Sequence, residues 1–384
     1  MAKKMLFMAI IIEKGRNCPK SIVLLQRIKS ATNLQFNKMN EKKRVTFIVN
    51  PISGTHGKEA ILHTVEERID RTLYDYTICK TQYAGHAEEL ARQAAQDHID
   101  VVVAIGGDGT INEIGRALIH TETALGIIPC GSGNGLARHL HIPMETTGAL
   151  QIINEGHCQH IDYGIIDKHP FFCTCGVGFD AFVSLKFANS GKRGLLTYLE
   201  NTLHESLTYS PETYEIENAT GTKKYKAFLI ACGNASQYGN NAYIAPQASL
   251  TDGMMDITIL EPFTVLDVPS LSFQLFHKTI DQNSRIKTMK DKKITIHRQS
   301  EGVFHYDGDP VMGGTTLEVE IIPGGLKIVA PTVKLPETRE SSMNFLQHFM
   351  EFFEGNPFAV SLSERHRQLL RLNQNLLRRL SKRS

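Results

Sequence analysis

Apolar residues fall into two textures along this chain. Between Arg44 and Asn154, short runs of aliphatic and β-branched residues alternate with stripes at helical spacing. The clearest run is Val101 to Ile105, inside IDVVVAIGGDGTINE (Ile99 to Glu113), and its composition predicts a strand buried on both faces of a parallel sheet. It stops at Gly106, after which Ile111, Ile114 and Leu118 mark the apolar face of a helix. Thr110, followed three residues later by Glu113, matches a capping box and places the start of that helix at the threonine. RVTFIVNP (Arg44 to Pro51) predicts a strand closed by proline, with a helix from near Glu59. YDYTICKT (Tyr74 to Thr81) predicts a second strand followed by the amphipathic GHAEELARQAAQ, and Leu125 to Ile128 a further strand. This alternation is the pattern of a parallel α/β domain.

Beyond Asn154 the stretches HIDYGIID, HPFFCTCGVGFDAFV, TYEIENATGTKKYKAFLIACGN, DGMMDITIL, KKITIHR, GVFHYDGDPV and TTLEVEIIP are mostly strand-like. ATGT between two alternating runs is a hairpin signal. A β-rich sandwich is therefore expected after the α/β domain. The chain is expected to divide into an extension (residues 1–41), an α/β domain (42–157), a β-rich domain (158–331) and a helical basic tail (332–384).

A strand, a glycine loop and a helix N-terminus together make a place for phosphate, because free N–H groups and the positive end of the helix dipole point at the loop. Asp108 in such a loop calls for a chemical reason, and three suit a carboxylate there. It could bond sugar hydroxyls, hold magnesium or take a proton from an acceptor hydroxyl. On its own it also reads as an exposed turn residue. ALGIIPCGSGNGLARHL ends in a second glycine-rich loop. A dinucleotide fingerprint would need glycine where Leu136 stands, and no acid closes a following strand about twenty residues on, so a dehydrogenase is disfavoured.

Charge and cysteine usage narrow the classes. A net charge of +2 over 384 residues gives no global case for nucleic-acid binding. Seven cysteines without framework spacing fit a reducing compartment. Cys173 and Cys175, two apart in an apolar run, would share a strand face in the core. The cluster His139, His141, His157, Cys158 and His160 matches no zinc-finger spacing. No apolar run reaches the roughly twenty residues of a membrane-spanning helix. Lys3 and Lys4 before MLFMAIII imitate a signal peptide, but Glu13, Lys14 and Arg16 stand where a cleavage site should be, so the start reads as not secretory. Met39 lies just ahead of the first domain, which marks residues 1 to 38 as dispensable or as the product of a misplaced start. At the other end, Met343 to Phe353 is an aromatic-rich helix. SERHRQLLRLNQNLLRRLSKRS is a second, with seven Lys/Arg against one acid, a pattern for an anionic membrane surface, a helical dimer contact or packing on its own domain.

GGDGT between a strand and a helix resembles the signature of the diacylglycerol kinase catalytic domain family, which is related to sphingosine and ceramide kinases and more distantly to NAD kinases. The resemblance covers about residues 43 to 331. It implies an NAD kinase/diacylglycerol kinase-like α/β domain with a parallel sheet, a C-terminal β-sandwich and an active site in the cleft between them. The implied activity is that of a cytoplasmic ATP- and Mg2+-dependent lipid kinase. Its acceptor would be a diacylglycerol-like or sphingoid lipid presented at a membrane surface, on the inner face if the tail adds peripheral contact. An NAD kinase-like enzyme and a non-catalytic nucleotide-binding regulator are the rivals. NAD kinases share GGDGT but lack the serine-bearing second loop and the Asp-Gly-Asp stretch.

The family motifs also assign roles. Nucleotide contacts carry over to Asn50, Pro51, Ser53 and Gly54 of N-P-x-S-G, with Lys58 as a further charge, and to Thr81, Gly85, Gly106, Gly107, Asp108, Gly109, Thr110, Glu113 and Ser132. Arg193 in GKRG, with its neighbour Lys192, would face nucleotide phosphates. G-S-G-N around Ser132 is commoner among sphingoid and ceramide kinases, whereas glycerolipid members more often show G-T-x-N-D, which leaves the acceptor open. Asp180, a loop carboxylate on spacing alone, stands where sphingosine kinases hold the lipid's polar head. Asp252, with backbone oxygens of Ser249 and Met254, stands where bacterial members hold a structural magnesium; alone, the stretch reads as an Asp-Gly turn. Tyr306-Asp307-Gly308-Asp309-Pro310 resembles the family's D-G-E. Asp309 is the expected proton acceptor, with Asp307 orienting it or taking the role itself and Asp108 held in reserve; the bland alternative is a hairpin turn.

Overall fold

The computed structural model describes residues 42–53, 57–190, 209–264 and 266–332. Its first part alternates as the apolar pattern requires: β1 (Lys43–Val49), α1 (Lys58–Arg68), β2 (Tyr74–Lys80), α2 (His86–Gln96), β3 (Val101–Gly106), α3 (Asp108–Leu118), β4 (Ala124–Pro129), α4 (Gly135–His139) and α5 (Thr146–Glu155). Every residue of β3 and of β4 is buried, because each strand has a parallel neighbour on both sides and helices over its faces.

The second part runs β5 (Cys158–Ile166), β6 (His169–Phe171), β7 (Thr174–Gly178), α6 (Phe179–Ser190), β8 (Glu212–Asn218), β9 (Gly221–Ala227), β10 (Leu229–Gly233), β11 (Met255–Leu260), α7 (Val268–Phe276), β12 (Ile286–Asp291), β13 (Lys293–Arg298), β14 (Gly302–Tyr306), β15 (Asp309–Gly313) and β16 (Thr316–Val329). The hairpin expected at ATGT is present. Ala219 and Thr220 join β8 to β9, Asn218 Oδ1 accepts the Thr220 N–H at 2.9 Å, and Gly221 takes the positive φ of 132°.

Two sheets result. The first is ten-stranded, in the order β2-β1-β3-β4-β16-β13-β8-β9, with β5 and β6 attached through β16; the second is six-stranded, β12-β11-β10-β7-β14-β15. β16, fourteen residues long, runs through both halves of the molecule. Its first part pairs antiparallel with β13, and its end lies parallel to β4 at Ile328 and Leu125. Between Ile322 and Leu326 its pairing with β5 slips by a bulge, where Gly324 has a φ of 61°. Ile161, Tyr163, Leu326, Ile328 and Val329 accordingly belong to the core of the α/β half, although all lie beyond residue 157. A second core fills the space between the two sheets around Phe171, Val177, Tyr214, Phe304 and Val319. A third, rich in aromatic rings, packs Phe179, Phe228 and Leu271 on the outer face of the six-stranded sheet.

Two local expectations are corrected by the fold. Cys173 and Cys175 are both buried, but Cys173 sits in the bend before β7 and packs in the first core, whereas Cys175 lies on β7 in the second. Asp180 is not on a loop; it occupies the first turn of α6, where a carboxylate suits the helix dipole.

Candidate functional site

Three loops meet at the carboxyl ends of β1, β3 and β4, the edge where open parallel sheets bind their ligands. The N–H of Asn50 donates to Ile105 O at 3.1 Å, and that of Cys130 to Gly106 O at 2.8 Å, so each loop starts in register with its neighbour. The glycines are needed for this close approach: a Cβ on Gly131 would stand 2.7 Å from Gly107 Cα, and one on Gly133 would stand 2.7 Å from Asp108 Oδ2. Gly109 by contrast faces open space.

The capping box is not formed. The helix begins two residues earlier, with Gly107 as N-cap and no side chain capping it. Thr110 Oγ1 instead accepts a hydrogen bond from Asn50 Nδ2 at 3.1 Å, tying the GGDGT helix to the Asn50-Pro51 turn, whose Ser53 hydroxyl donates to Asn50 O at 3.0 Å. Glu113 reaches to the next helix, accepting from Gly85 N at 3.0 Å and Ala87 N at 3.2 Å, and so caps α2. Gly85 has the left-handed φ of 88° that this approach requires. Thr81 is buried at the end of β2, and its N–H donates to Val49 O. Pro51 and Ser132 are exposed on the loop surface.

Asp108 proves to be a clamp. Its two carboxylate oxygens accept the N–H groups of Asn134 and Gly135, each at 2.8 Å, which closes the second glycine loop onto the first. Burial pushes its carboxyl above the ordinary range, and these two N–H groups with the Arg138 guanidinium oppose the push. Asn134, in the left-handed region at φ 54°, completes the loop by bonding Gly131 through both ends of its amide. Beside these loops, Lys58 Nζ at the start of α1 is sealed from solvent next to the Cys130 thiol and, apart from that thiol, has no hydrogen-bond partner among the described residues. An unpaired buried ammonium is costly, and an anion between the loops relieves it.

The second half contributes the turn between β14 and β15. Asp307 and Gly308 have φ of 46° and 89°, and Tyr306 pairs with Asp309 across them, as in a two-residue hairpin turn. The two acids of this turn have opposite surroundings. Asp307 accepts four hydrogen bonds: Phe172 N, Cys173 N and Asn112 Nδ2 at 2.8 Å each, and Thr174 N at 3.1 Å. With four donors on it, it holds α3, the bend before β7 and the hairpin together, and has no open oxygen to act as base. Asp309 opens to solvent. The surrounding protein pushes its carboxyl above the ordinary range by desolvation; Arg116 opposes this, Glu113 adds to it, and His305 lowers it slightly.

Arg116 and His305 carried no signal in the sequence. Arg116 Nη2 pairs with Glu88 at 3.0 Å while its buried Nε has no partner among the described residues. His305, 2% exposed, places Nε2 3.1 Å from Asp180 Oδ2, and the Tyr238 hydroxyl donates to the same oxygen at 3.2 Å. Asp180 is thus engaged by two side chains, one of them on β14, the strand that leads into the Asp307 turn. Gly54, Lys192 and Arg193 lie outside the described residues, as do residues 1–41 and the tail from 333.

The magnesium expectation meets a different arrangement. Asp252 Oδ1 accepts the Met254 N–H at 3.1 Å, and Oδ2 pairs with Lys290 Nζ at 2.9 Å. Ser249 turns its hydroxyl to Thr251. In the histidine-rich stretch, His139 Nδ1 takes the Ser236 N–H at 3.0 Å.

The architecture is a parallel α/β sheet with glycine loops joined to an antiparallel sandwich. Residues 44–166 match the diacylglycerol kinase catalytic domain, and residues 173–330 match the YegS C-terminal NAD kinase beta sandwich-like domain. The chain is 30% identical over 254 residues to the protein named "Probable lipid kinase YegS" of Salmonella typhimurium, covering 64% of this chain and 83% of that one. It is 27% identical over 310 residues to an uncharacterized protein of Synechocystis sp., covering 76% and 71%. Among solved structures, a diacylglycerol kinase from Bacillus anthracis str. Sterne superposes with a TM-score of 0.61 at 20% identity, covering 76% of this chain and 98% of that one. The chain belongs to the YegS-type lipid kinase family built on the diacylglycerol kinase catalytic domain.

Proposed function

We propose that the protein transfers the γ-phosphoryl group of ATP to a hydroxyl of a diacylglycerol-like or sphingoid lipid, with Asp309 as the proton acceptor. The observation that carries this reading is the contrast within one turn: Asp307 is saturated by four donors, whereas Asp309 is open to solvent and within the electrostatic reach of Arg116 of the GGDGT helix. A carboxylate with proton affinity above the ordinary range is a better general base, provided it remains ionised at the working pH.

The residues then divide the work as phosphoryl transfer demands, by positioning and charge. The Asn50, Gly107 and Gly131 loops offer N–H groups to the nucleotide, and the buried Lys58 ammonium faces its phosphates. Magnesium, arriving with ATP, would neutralise charge between the phosphates. Asp309 accepts the proton of the lipid hydroxyl as the hydroxyl oxygen bonds the γ-phosphorus and the bond from that phosphorus to the β,γ-bridging oxygen breaks, releasing ADP. Arg116 holds positive charge beside that acid. Asp180, His305 and Tyr238 form a buried polar group behind the acceptor site.

Among the described residues no helix is long and apolar enough to cross a membrane. The basic tail is proposed as a peripheral contact with the inner face of the membrane that presents the lipid. The enzyme would then work from the cytoplasm, where ATP is supplied.

The test is incubation of the full chain with radiolabelled ATP and Mg2+ in detergent micelles holding diacylglycerol, sphingosine or ceramide, and in parallel with NAD. Label in a chloroform-soluble product from one lipid is expected. Label in NAD alone would replace the lipid with a dinucleotide acceptor, and label in none would leave nucleotide binding without transfer.

A further inference from the structure

The turn Asp252-Gly253 lies before β11, and the strand opposite decides what fills it. In the antiparallel pair of β11 and β12, Asp256 stands directly across from Lys290. That register carries Lys290 Nζ to 3.1 Å from Asp256 Oδ2, 2.9 Å from Asp252 Oδ2 and 3.4 Å from the backbone oxygen of Gln247. One ammonium therefore donates to the Gln247 and Asp252 oxygens and stands at ion-pairing distance from a third on Asp256, all three carried by the single segment 247–256. Asp281 adds to the negative field around Asp256, and its Oδ2 accepts from Gln247 Nε2 at 3.3 Å.

The turn is also fixed from the other side without any ion. The buried Asp162 carboxylate accepts the Gly253 N–H and the Gly324 N–H at 2.7 Å each, joining the turn to the bulge of β16. A divalent ion bound to Asp252 would share its carboxylate with a fixed positive charge within hydrogen-bonding distance, and like charges so placed repel.

We propose that Lys290 is a built-in cation, occupying by its ammonium the place at Asp252 that a divalent ion takes in the relatives the motif resembles, so that this domain holds its fold without bound metal. The inference is independent of the kinase reading, since it concerns a turn away from the glycine loops and is tested without nucleotide.

The experiment measures the thermal midpoint of the full chain, free of nucleotide, in EDTA and in millimolar Mg2+ or Ca2+, with elemental analysis of the desalted protein. Wild type is expected to give the same midpoint in all three and to retain no stoichiometric Mg2+ or Ca2+. Lys290→Met removes the charge and leaves Asp252 and Asp256 facing each other. It should melt lower in EDTA and regain much of the loss when divalent ions are added, because an ion that binds only the folded state raises its midpoint. Lys290→Arg, which keeps a positive charge, should respond less to the ions than Lys290→Met. The proposal is overturned if wild type loses stability in EDTA or carries one equivalent of divalent metal. It is equally overturned if Lys290→Met melts lower with no response to either ion, which would make the pair an ordinary surface salt bridge. If Lys290→Met does not fold, the wild-type measurements decide alone.

Discussion

The glycine loops at the end of the parallel sheet and the Asp-Gly-Asp turn at the end of the antiparallel one both carry acids that a motif would call catalytic, yet they use them differently. In the first, Asp108 gives both oxygens to N–H groups of the neighbouring loop. In the second, Asp307 does the same with four donors, and Asp309, two residues on, takes none of them. Sequence position does not separate a clamp from an acid left open; the count of donors around each carboxylate does. The comparison can be broken by removing the acids one at a time.

The largest effect is expected at Asp309. Asp309→Asn should lower kcat by about 10² to 10⁴, the usual span for a general base, and leave the thermal midpoint and ATP affinity nearly unchanged. A kcat within tenfold of wild type would show that this turn supplies no base. Asp307→Ala should act on the fold instead. It strands Asn112 and three backbone N–H groups, a loss on the order of 3 kcal/mol, seen as a midpoint lower by roughly 4 to 5 °C. A stable Asp307→Ala protein with no activity would reverse the assignment of the two acids.

Asp108→Asn is intermediate, because the amide sets an NH2 against one of two N–H donors. It should cost about 1 to 3 kcal/mol and weaken ATP binding as the second loop loosens. An unchanged midpoint with lost turnover would return Asp108 to the chemistry. The smallest effect concerns pH. A base must be unprotonated, so with the Asp309 carboxyl above the ordinary aspartate range, kcat should fall on acidification at a higher pH than a free carboxyl would produce. Arg116 opposes that rise, so Arg116→Gln should move the acid limb of the kcat profile further up in pH. An unmoved limb would separate Arg116 from the base.

Much of this was legible from local pattern. The β-branched runs of β3 and β4 became fully buried parallel strands, the Asp-Gly and Ala-Thr turns became hairpins, and the second half became an antiparallel sandwich. What escaped depends on partners far along the chain. Thr110 and Glu113 have capping-box spacing, but Asn50 and the start of α2 compete for their side chains and win. The positive φ of Asp307 could be inferred from the glycine after it, whereas its donors come from Phe172 to Thr174, more than a hundred residues earlier. No motif announces His305 beside Asp180, which is set by how α6 lies on β14, or Lys290 opposite Asp256, which is set by strand register.

The long strand β16 has a consequence for how the chain is made. The second edge of β4 is completed only by residues 316–329, so the parallel sheet waits for nearly the last of the described segments to leave the ribosome. A fragment cut at residue 157 would keep its glycine loops and lose that neighbour, leaving an apolar strand edge open to other chains. Folding should therefore be late and cooperative, with non-local pairing setting its pace, and the two halves should melt as one unit.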